Sequence, residues 1–421
     1  MRRISKHLTA CLMWVGMVWL LTACGTDTTT TISQTTAPVA TTVQASRTIV
    51  AVTTQSATTV VTTVAATPIA TTATTTVPAT TVASITTVAT TIVATTATTT
   101  FASTTATQAT TAASLSPGQF VNPVINQDFA DPGILKVGNT YYVYATNSAQ
   151  DNIQAAKSTD LVHWQTLSDA LPTLPAWSEK GHTWAPGVST TADGKSYVMY
   201  FVARDTASSK QCIGVATSAT PEGPFTSAPA TPFICQTDEG GSIDPSVFVD
   251  TDGTRYVVWK NDGNCCAKDT YIYVQKTSPD GLSLVGKSTQ LIHEDQGWEG
   301  NLVEAPVLWK HNNKYDLFYS ANNYAGADYA IGYALADNIL GPYTKPGNGP
   351  FVQTIPTQNN NPPVIGPGGE DIVVAKDGTT WMLYHSWDPT ISYREVNIDQ
   401  LTWDGDKPVL HGPMVTPENV P

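Results

Sequence analysis

The sequence predicts an all-β domain, a five-bladed β-propeller, preceded by a signal peptide and a disordered Thr/Ala-rich linker. Three observations lead there. A strand–turn–strand unit recurs five times between residues 117 and 421. Each copy is followed by a further apolar strand, and no sustained helical periodicity interrupts them. The preceding hundred or so residues lack the large apolar side chains that fill a core.

Met1 to Leu21 places Arg2, Arg3 and Lys6 before an apolar run from Leu8, the n-region and h-region of a secretory signal. The run is too short and wrongly flanked for a stable membrane span. It ends in Leu21-Thr22-Ala23-Cys24, which resembles a bacterial lipobox, so residues 1–23 are expected to be removed and Cys24 to carry lipid. An ordinary signal peptide with a coincidental Cys is the alternative. Residues 24–116 are almost entirely Thr, Ala, Val and Ser, with one aromatic, Phe101. That composition predicts an extended stalk holding the remaining domain at the cell surface.

Residues 117–421 are enough for one large domain. Of the chain's 21 Lys+Arg and 34 Asp+Glu, four bases and one acid lie before residue 117, leaving 17 against 33 and a net charge of −16. So acidic a surface disfavours nucleic acid and anionic lipid as partners and suits a neutral ligand. The domain is expected to be a monomer whose membrane contact runs only through Cys24. Four cysteines remain, Cys212, Cys235, Cys265 and Cys266, and an exported chain with an even number predicts two disulfides. Cys212–Cys235 with a vicinal Cys265–Cys266 bridge is one of three connectivities.

The repeat is read from Asp131-Pro-Gly-Ile-Leu, Ala185-Pro-Gly-Val-Ser, Asp244-Pro-Ser-Val-Phe and Ala305-Pro-Val-Leu-Trp, each leading through a Gly or Asn turn into an aromatic, β-branched strand. A fifth copy starting at Glu370-Asp-Ile-Val-Val keeps the pattern without the Pro. Third strands follow from Asn152, Cys212, Tyr271, Tyr329 and Tyr393, and fourth strands are suggested at His163-Trp164, Gly223-Pro-Phe225, Gly341-Pro-Tyr343 and Leu401-Thr-Trp403. Four strands per unit, repeating every 54 to 66 residues or so, describe propeller blades rather than an aligned sandwich.

The first strand of a blade lines the central channel, so its N-terminal residues ring one mouth. Asp131 and Asp244 precede the Pro of their copies, and Glu304 stands one residue earlier in its own. An Asp before Pro is commonly a turn or cap residue. Three carboxylates in one register of a repeat point instead to chemistry: an acid and a base on opposite faces of a glycosidic bond, with a third group to hold the acid protonated. In an inverting enzyme the acid and base stand about 6.5–9.5 Å apart to admit water, a spacing that different blades supply.

Phe129-Ala-Asp-Pro-Gly-Ile, His182-Thr-Trp-Ala-Pro-Gly, Gly241-Ser-Ile-Asp-Pro-Ser-Val-Phe and Val303-Glu-Ala-Pro-Val-Leu together resemble glycoside hydrolase family 43, over residues 121 to 413. The resemblance implies that Asp131 is the general base, Glu304 the general acid and Asp244 the residue that tunes the acid. It also implies an inverting attack on arabinofuranosyl or xylosyl linkages. Trp184, Arg394 and His385 are further candidates for sugar contact, with a buried, satisfied histidine as the other reading of His385. Family members often carry a His directly after Gly-Pro-Gly in the last blade, helping to hold a channel ion. Here Gly366-Pro-Gly is followed by Gly369-Glu370-Asp371, so no metal ligands are assigned and no cofactor is expected to be required, Glu370 and Asp371 being the only substitutes for a channel calcium. Glu294, Asp295 and Glu299 are read as solvated surface. Two other readings stand: a surface carbohydrate-binding propeller without catalysis, and a fructan-type propeller enzyme, for which Ala130-Asp131-Pro132-Gly133 lacks the required Asn-Asp-Pro-Asn-like motif.

Overall fold

The second strand of each repeat is apolar on both faces, as in Tyr197-Val-Met-Tyr-Phe-Val-Ala. A strand of that kind must be covered on both sides. Successive side chains point to opposite faces, so alternate residues can pack toward different neighbours. In the computed structural model, which describes residues 115–421 apart from Asn360, they do so. The signal peptide, Cys24 and all but the end of the linker lie outside the described residues.

Tyr144, Met199 and Phe201 pack in one buried cluster, while Val143 and Tyr200, their sequence neighbours, belong to two others. Five such clusters separate five antiparallel sheets, each cluster filled from two adjacent sheets, including the last and the first. At about 1.5–3 kcal/mol for each large apolar side chain removed from water, these interfaces are the main favourable term holding the sheets together.

Blade I comprises Gly133–Val137, Thr140–Ala145, Gln154–Ser158 and Gln165–Thr166. Blade II comprises Ser178–Thr190, Tyr197–Asp205 and Gln211–Ser218. Blade III comprises Ser242–Val249, Arg255–Asn261, Tyr271–Thr277 and Leu284–His293. Blade IV comprises Val303–His311, Lys314–Ala321 and Ala330–Ala336. Blade V comprises Ile365–Val374, Thr380–Trp387, Arg394–Asp404 and Lys407–Leu410. The first strands touch one another in a closed ring, I to II, III, IV, V and back to I. No α-helix occurs among the described residues.

The expected fourth strands hold in part. In blades II and IV they shrink to single bridges, Thr217 with Thr226 and Leu335 with Thr344. Leu401–Trp403 is not a fourth strand: it continues the third strand of blade V, and the fourth is Lys407–Leu410. The chain ends close the ring. Gln119–Phe120 pairs with Glu418–Asn419, and the Val124 amide donates to Val396 O (2.8 Å) in blade V. Asn122 clamps this junction, its Nδ2 donating to Ile398 O (2.8 Å) and its Oδ1 accepting from Ile398 N (2.9 Å).

One backbone device recurs at the channel. Asp131, Ala185, Asp244 and Ala305 all have positive φ (55°, 40°, 54° and 49°), and Gly369 takes the same conformation in blade V (59°). In blades II to V the strand register slips there, so that two residues of the inner strand oppose one of its partner, a β-bulge. The fifth repeat therefore starts at Gly369, one residue before the position expected from the sequence, and Glu370 stands where the other copies have Pro. Left-handed backbone is costly for residues other than Gly. Its presence at Ala185 and Ala305, which carry no functional group, marks it as part of the architecture. Bulged inner strands also come very close together: a Cβ on Gly133 would collide with the Pro186 carbonyl, and one on Gly187 with that of Pro245.

Candidate active site

The bulges aim their side chains into a cavity of about 870 Å³ that Asp131, Asp244 and Glu304 all line. Glu304 lies just before the bulge in blade IV, on the same strand as Ala305. The three carboxylates thus come from blades I, III and IV and meet at one mouth.

Each has different surroundings. Asp131 Oδ1 accepts from Arg394 Nη1 (3.1 Å) and Oδ2 from Thr146 Oγ1 (2.6 Å). Burial alone would raise its pKa, but the Arg394 guanidinium and the Thr146 hydroxyl hold it well below the usual carboxylate range. Asp131 is therefore ionised at neutral pH. Asp244 Oδ2 accepts only the Ala305 amide (3.0 Å), and burial together with the Glu304 charge pushes its pKa up to about 8. Asp244 therefore retains a proton near neutrality, close to Glu304.

Glu304 is buried, with Lys260 Nζ 3.0 Å from Oε2 and the Tyr329 hydroxyl donating to Oε1 (2.8 Å). Lys260 is itself wholly buried and also donates to Asn264 Oδ1 (2.7 Å).

The other expected contacts separate. Trp184 and Arg394 line the cavity. Arg394 lies 5.0 Å from the Tyr324 ring and 6.0 Å from that of Trp387, so one face of the mouth is aromatic and cationic. His385 is fully buried and does not reach the cavity, so it is not placed to touch sugar. It stacks on Tyr329 (5.8 Å between centroids, 9°) and accepts the Asp131 amide at Nδ1 (3.2 Å). Burial and the nearby Arg394 lower its pKa, keeping it neutral. It is a support for Asp131.

Glu370 and Asp371 do not replace an ion site well. Both Asp371 oxygens accept backbone amides, from Ile134 (2.8 Å) and Ile372 (2.8 Å), and Glu370 Oε2 accepts from Ser320 Oγ (2.7 Å). Burial pushes Glu370 up to about 8 and Asp371 to about 7. Among the described residues no group of three or more His, Cys, Asp or Glu side chains converges as metal ligands would. Glu370 Oε1 alone of these four oxygens is buried without a partner, and one free protein oxygen does not make a directly ligated ion site.

The acidic run before Glu304 is solvated only in part: Asp295 is exposed and Glu294 half-buried, but Glu299 is not at the surface. Glu299 is buried and accepts from the Tyr319 hydroxyl (2.6 Å) and Lys345 Nζ (3.0 Å), and Glu294 accepts from Thr270. A short turn with a capping box made by Gln296 and Glu299 turns the Glu299 side chain inward. Cys212 pairs with Cys235, and Cys265 with Cys266.

Lys260, Tyr329 and Thr146 were not apparent as site residues in the sequence. Three of the four second-strand groups around the carboxylates share one register: Lys260, Ser320 and His385 pair with Ile243, Glu304 and Gly368. Thr146, whose amide donates to Ala130 O (3.0 Å), is the fourth, and Val202, opposite Trp184, completes the ring. A polar residue ending an otherwise apolar strand was the available signal.

A closed ring of five small sheets with its acidic groups gathered at one end of the channel falls in the class of propeller glycoside hydrolases. The chain belongs to glycosyl hydrolases family 43, whose model matches residues 120–408. Similar proteins include an extracellular endo-α-(1→5)-L-arabinanase of Thermotoga petrophila, 30% identical over 51% of this chain and 50% of its own. A putative β-xylosidase of Xylanibacter ruminicola is 25% identical over 70% of this chain and 50% of its own. This chain thus spans half the length of each. A solved thermostable family-43 glycoside hydrolase superposes with a TM-score of 0.64 at 32% identity, over 72% of this chain and 99% of that one.

Proposed function

We propose that the protein is an exported, inverting glycoside hydrolase that cleaves arabinofuranosyl or xylosyl linkages in plant cell-wall polysaccharides. The single observation that carries this is the contrast among the carboxylates of one cavity: Asp131 bonded to the Arg394 guanidinium, and Asp244, beside Glu304, bonded only to a backbone amide. Opposed protonation states are what acid and base roles require.

In this mechanism water bound beside Asp131 loses its proton to that carboxylate as its oxygen attacks the anomeric carbon. Glu304 protonates the departing glycosidic oxygen from the other side. Asp244 keeps a proton close to Glu304, and Lys260 and Tyr329 fix the Glu304 carboxyl in place. Trp184 and Arg394 offer stacking and hydrogen bonding to the sugar. The similar proteins, an arabinanase and a xylosidase by name, support the choice of linkage, and the relative called extracellular supports export. A lipid on Cys24 and the Thr-rich stalk would then hold a monomeric catalytic domain outside the cell. No step requires a cofactor.

The test is a panel of aryl arabinofuranosides and xylosides with linear and branched arabinan and arabinoxylan, the products being sized. Glu304→Gln and Asp131→Asn are each expected to lower kcat/KM by about 10³-fold or more on the substrate cleaved. Near wild-type rates in either folded variant would show the roles to be misassigned, and no cleavage of any substrate would favour a binding propeller.

A further inference from the structure

The loop between the second and third strands of blade III has a rigid base. Asn261 Nδ2 donates to Glu239 O (3.1 Å) and Asp269 O (3.0 Å), while its Oδ1 accepts from Tyr271 N (2.6 Å). A Cβ on Gly263 would collide with the Asp269 carbonyl, so the turn that follows is tight. Gly263–Cys266 then form one 3-10 turn, closed by the disulfide between adjacent residues Cys265 and Cys266. Asp262 and Gly263 are buried, whereas Asn264 and Cys265 are exposed and both line the catalytic cavity. Lys210 Nζ, from the loop before the third strand of blade II, lies 2.9 Å from Cys266 Sγ and 4.0 Å from Cys265 Sγ.

The turn stands one side chain from Glu304. Asn264 Oδ1 and Glu304 Oε2 share the Lys260 ammonium at 2.7 and 3.0 Å. The Asn264 Nδ2 group has no hydrogen-bond partner among the described residues and is free to donate. We propose that this disulfide-closed turn seats the sugar of the leaving group, Cys265 offering a sulfur ledge to its C–H face and Asn264 an amide to one of its hydroxyls. The proposal rests on Glu304 as the acid, because the acid must stand beside the glycosidic oxygen and its outer neighbours then meet the departing sugar. Divalent sulfur is polarizable and weakly solvated, so it gives up little water on contact. Closing a ring across adjacent residues removes backbone freedom that would otherwise be lost on binding.

The experiment compares kcat/KM for an oligosaccharide and for an aryl glycoside of the same glycone, since an aryl group has no hydroxyls for Asn264. In a folded Cys265→Ser/Cys266→Ser variant the oligosaccharide-to-aryl ratio is expected to fall about tenfold from the wild-type value. Asn264→Ala is expected to lower it in the same direction. An unchanged ratio in both variants overturns the proposal. Should the double variant fail to fold, wild type reduced by a water-soluble phosphine gives the same comparison. There the phosphine is oxidised to its oxide, water supplies the oxygen and both thiol protons, and mass spectrometry locates the thiols. If wild type cleaves neither substrate, the hydrolase reading fails on its own. Calorimetric titration of arabino- and xylo-oligosaccharides then decides the turn's role: binding about fivefold weaker in the double variant supports it, and equal binding or none overturns it.

Discussion

At Asp131 two effects oppose each other. Burial disfavours the charge, while Arg394 and Thr146 favour it and prevail. Asp244 touches no cation, and burial with the Glu304 charge prevails instead. Activity should therefore persist to low pH and fall on the alkaline side with an apparent pKa near 8, read from the pH profile of kcat/KM. Lys260 lowers the Asp244 pKa, so Lys260→Met should move the alkaline limb to higher pH and reduce kcat by about 10–100-fold. The same shift has a stability counterpart. Asp244 is raised from 3.8 in the unfolded chain to about 8 in the folded one, so its favourable contribution is complete below pH 3.8 and is lost as pH rises through 8. Asp244→Asn, which keeps an acceptor for the Ala305 amide, should raise the melting temperature by roughly 2–4 °C above pH 8 and change it little at pH 4, while activity falls. The three carboxylates were legible in the sequence because a repeat exposes any residue that departs from it. Lys260 and Tyr329 were not, because a single polar group ending an apolar strand shows its purpose only when the facing blade is known.

The first strands of blades II to V carry the bulge whether or not chemistry occurs there, which explains the positive φ at Ala185 and Ala305. Ala305→Val should destabilise the domain by more than about 2 kcal/mol, since a β-branched side chain is poorly tolerated in left-handed backbone. Ala305→Gly should be close to neutral, the relief of strain offsetting the entropy of glycine. Urea denaturation distinguishes them. Strand order and hairpins were legible from recurring apolar and β-branched runs and the turn residues between them. The origin of the fifth repeat was misplaced by one residue because, without its Pro, the apolar pattern sets the strand but not the bulge. The loop holding Glu299 was misread for a related reason. Acidic residues near one another look like surface until Tyr319 and Lys345 are brought against them by the blade IV fold.

The propeller is closed by the core cluster that blades V and I share and by pairing of the described chain's two ends. The described chain joins its two ends through one short strand pair, the Val124 amide and the Asn122 clamp on blade V. Asn122→Ala leaves the buried Ile398 amide and carbonyl unpaired, and should cost about 2–3 kcal/mol of unfolding free energy without altering kcat. The number of blades was legible by counting repeats, whereas this closing junction was not. Nothing in residues 118–125 repeats elsewhere.

The assignment of Asp131 as the base that activates water, with proton donation from the opposite side, fixes the stereochemical outcome. Proton NMR of the reaction during its first minutes, on whichever arabinofuranoside or xyloside the enzyme cleaves, reads that outcome directly. Initial appearance of the anomer opposite to that of the substrate, before mutarotation, is the predicted result. Initial appearance of the retained anomer would contradict it and require a covalent intermediate on one of the three carboxylates.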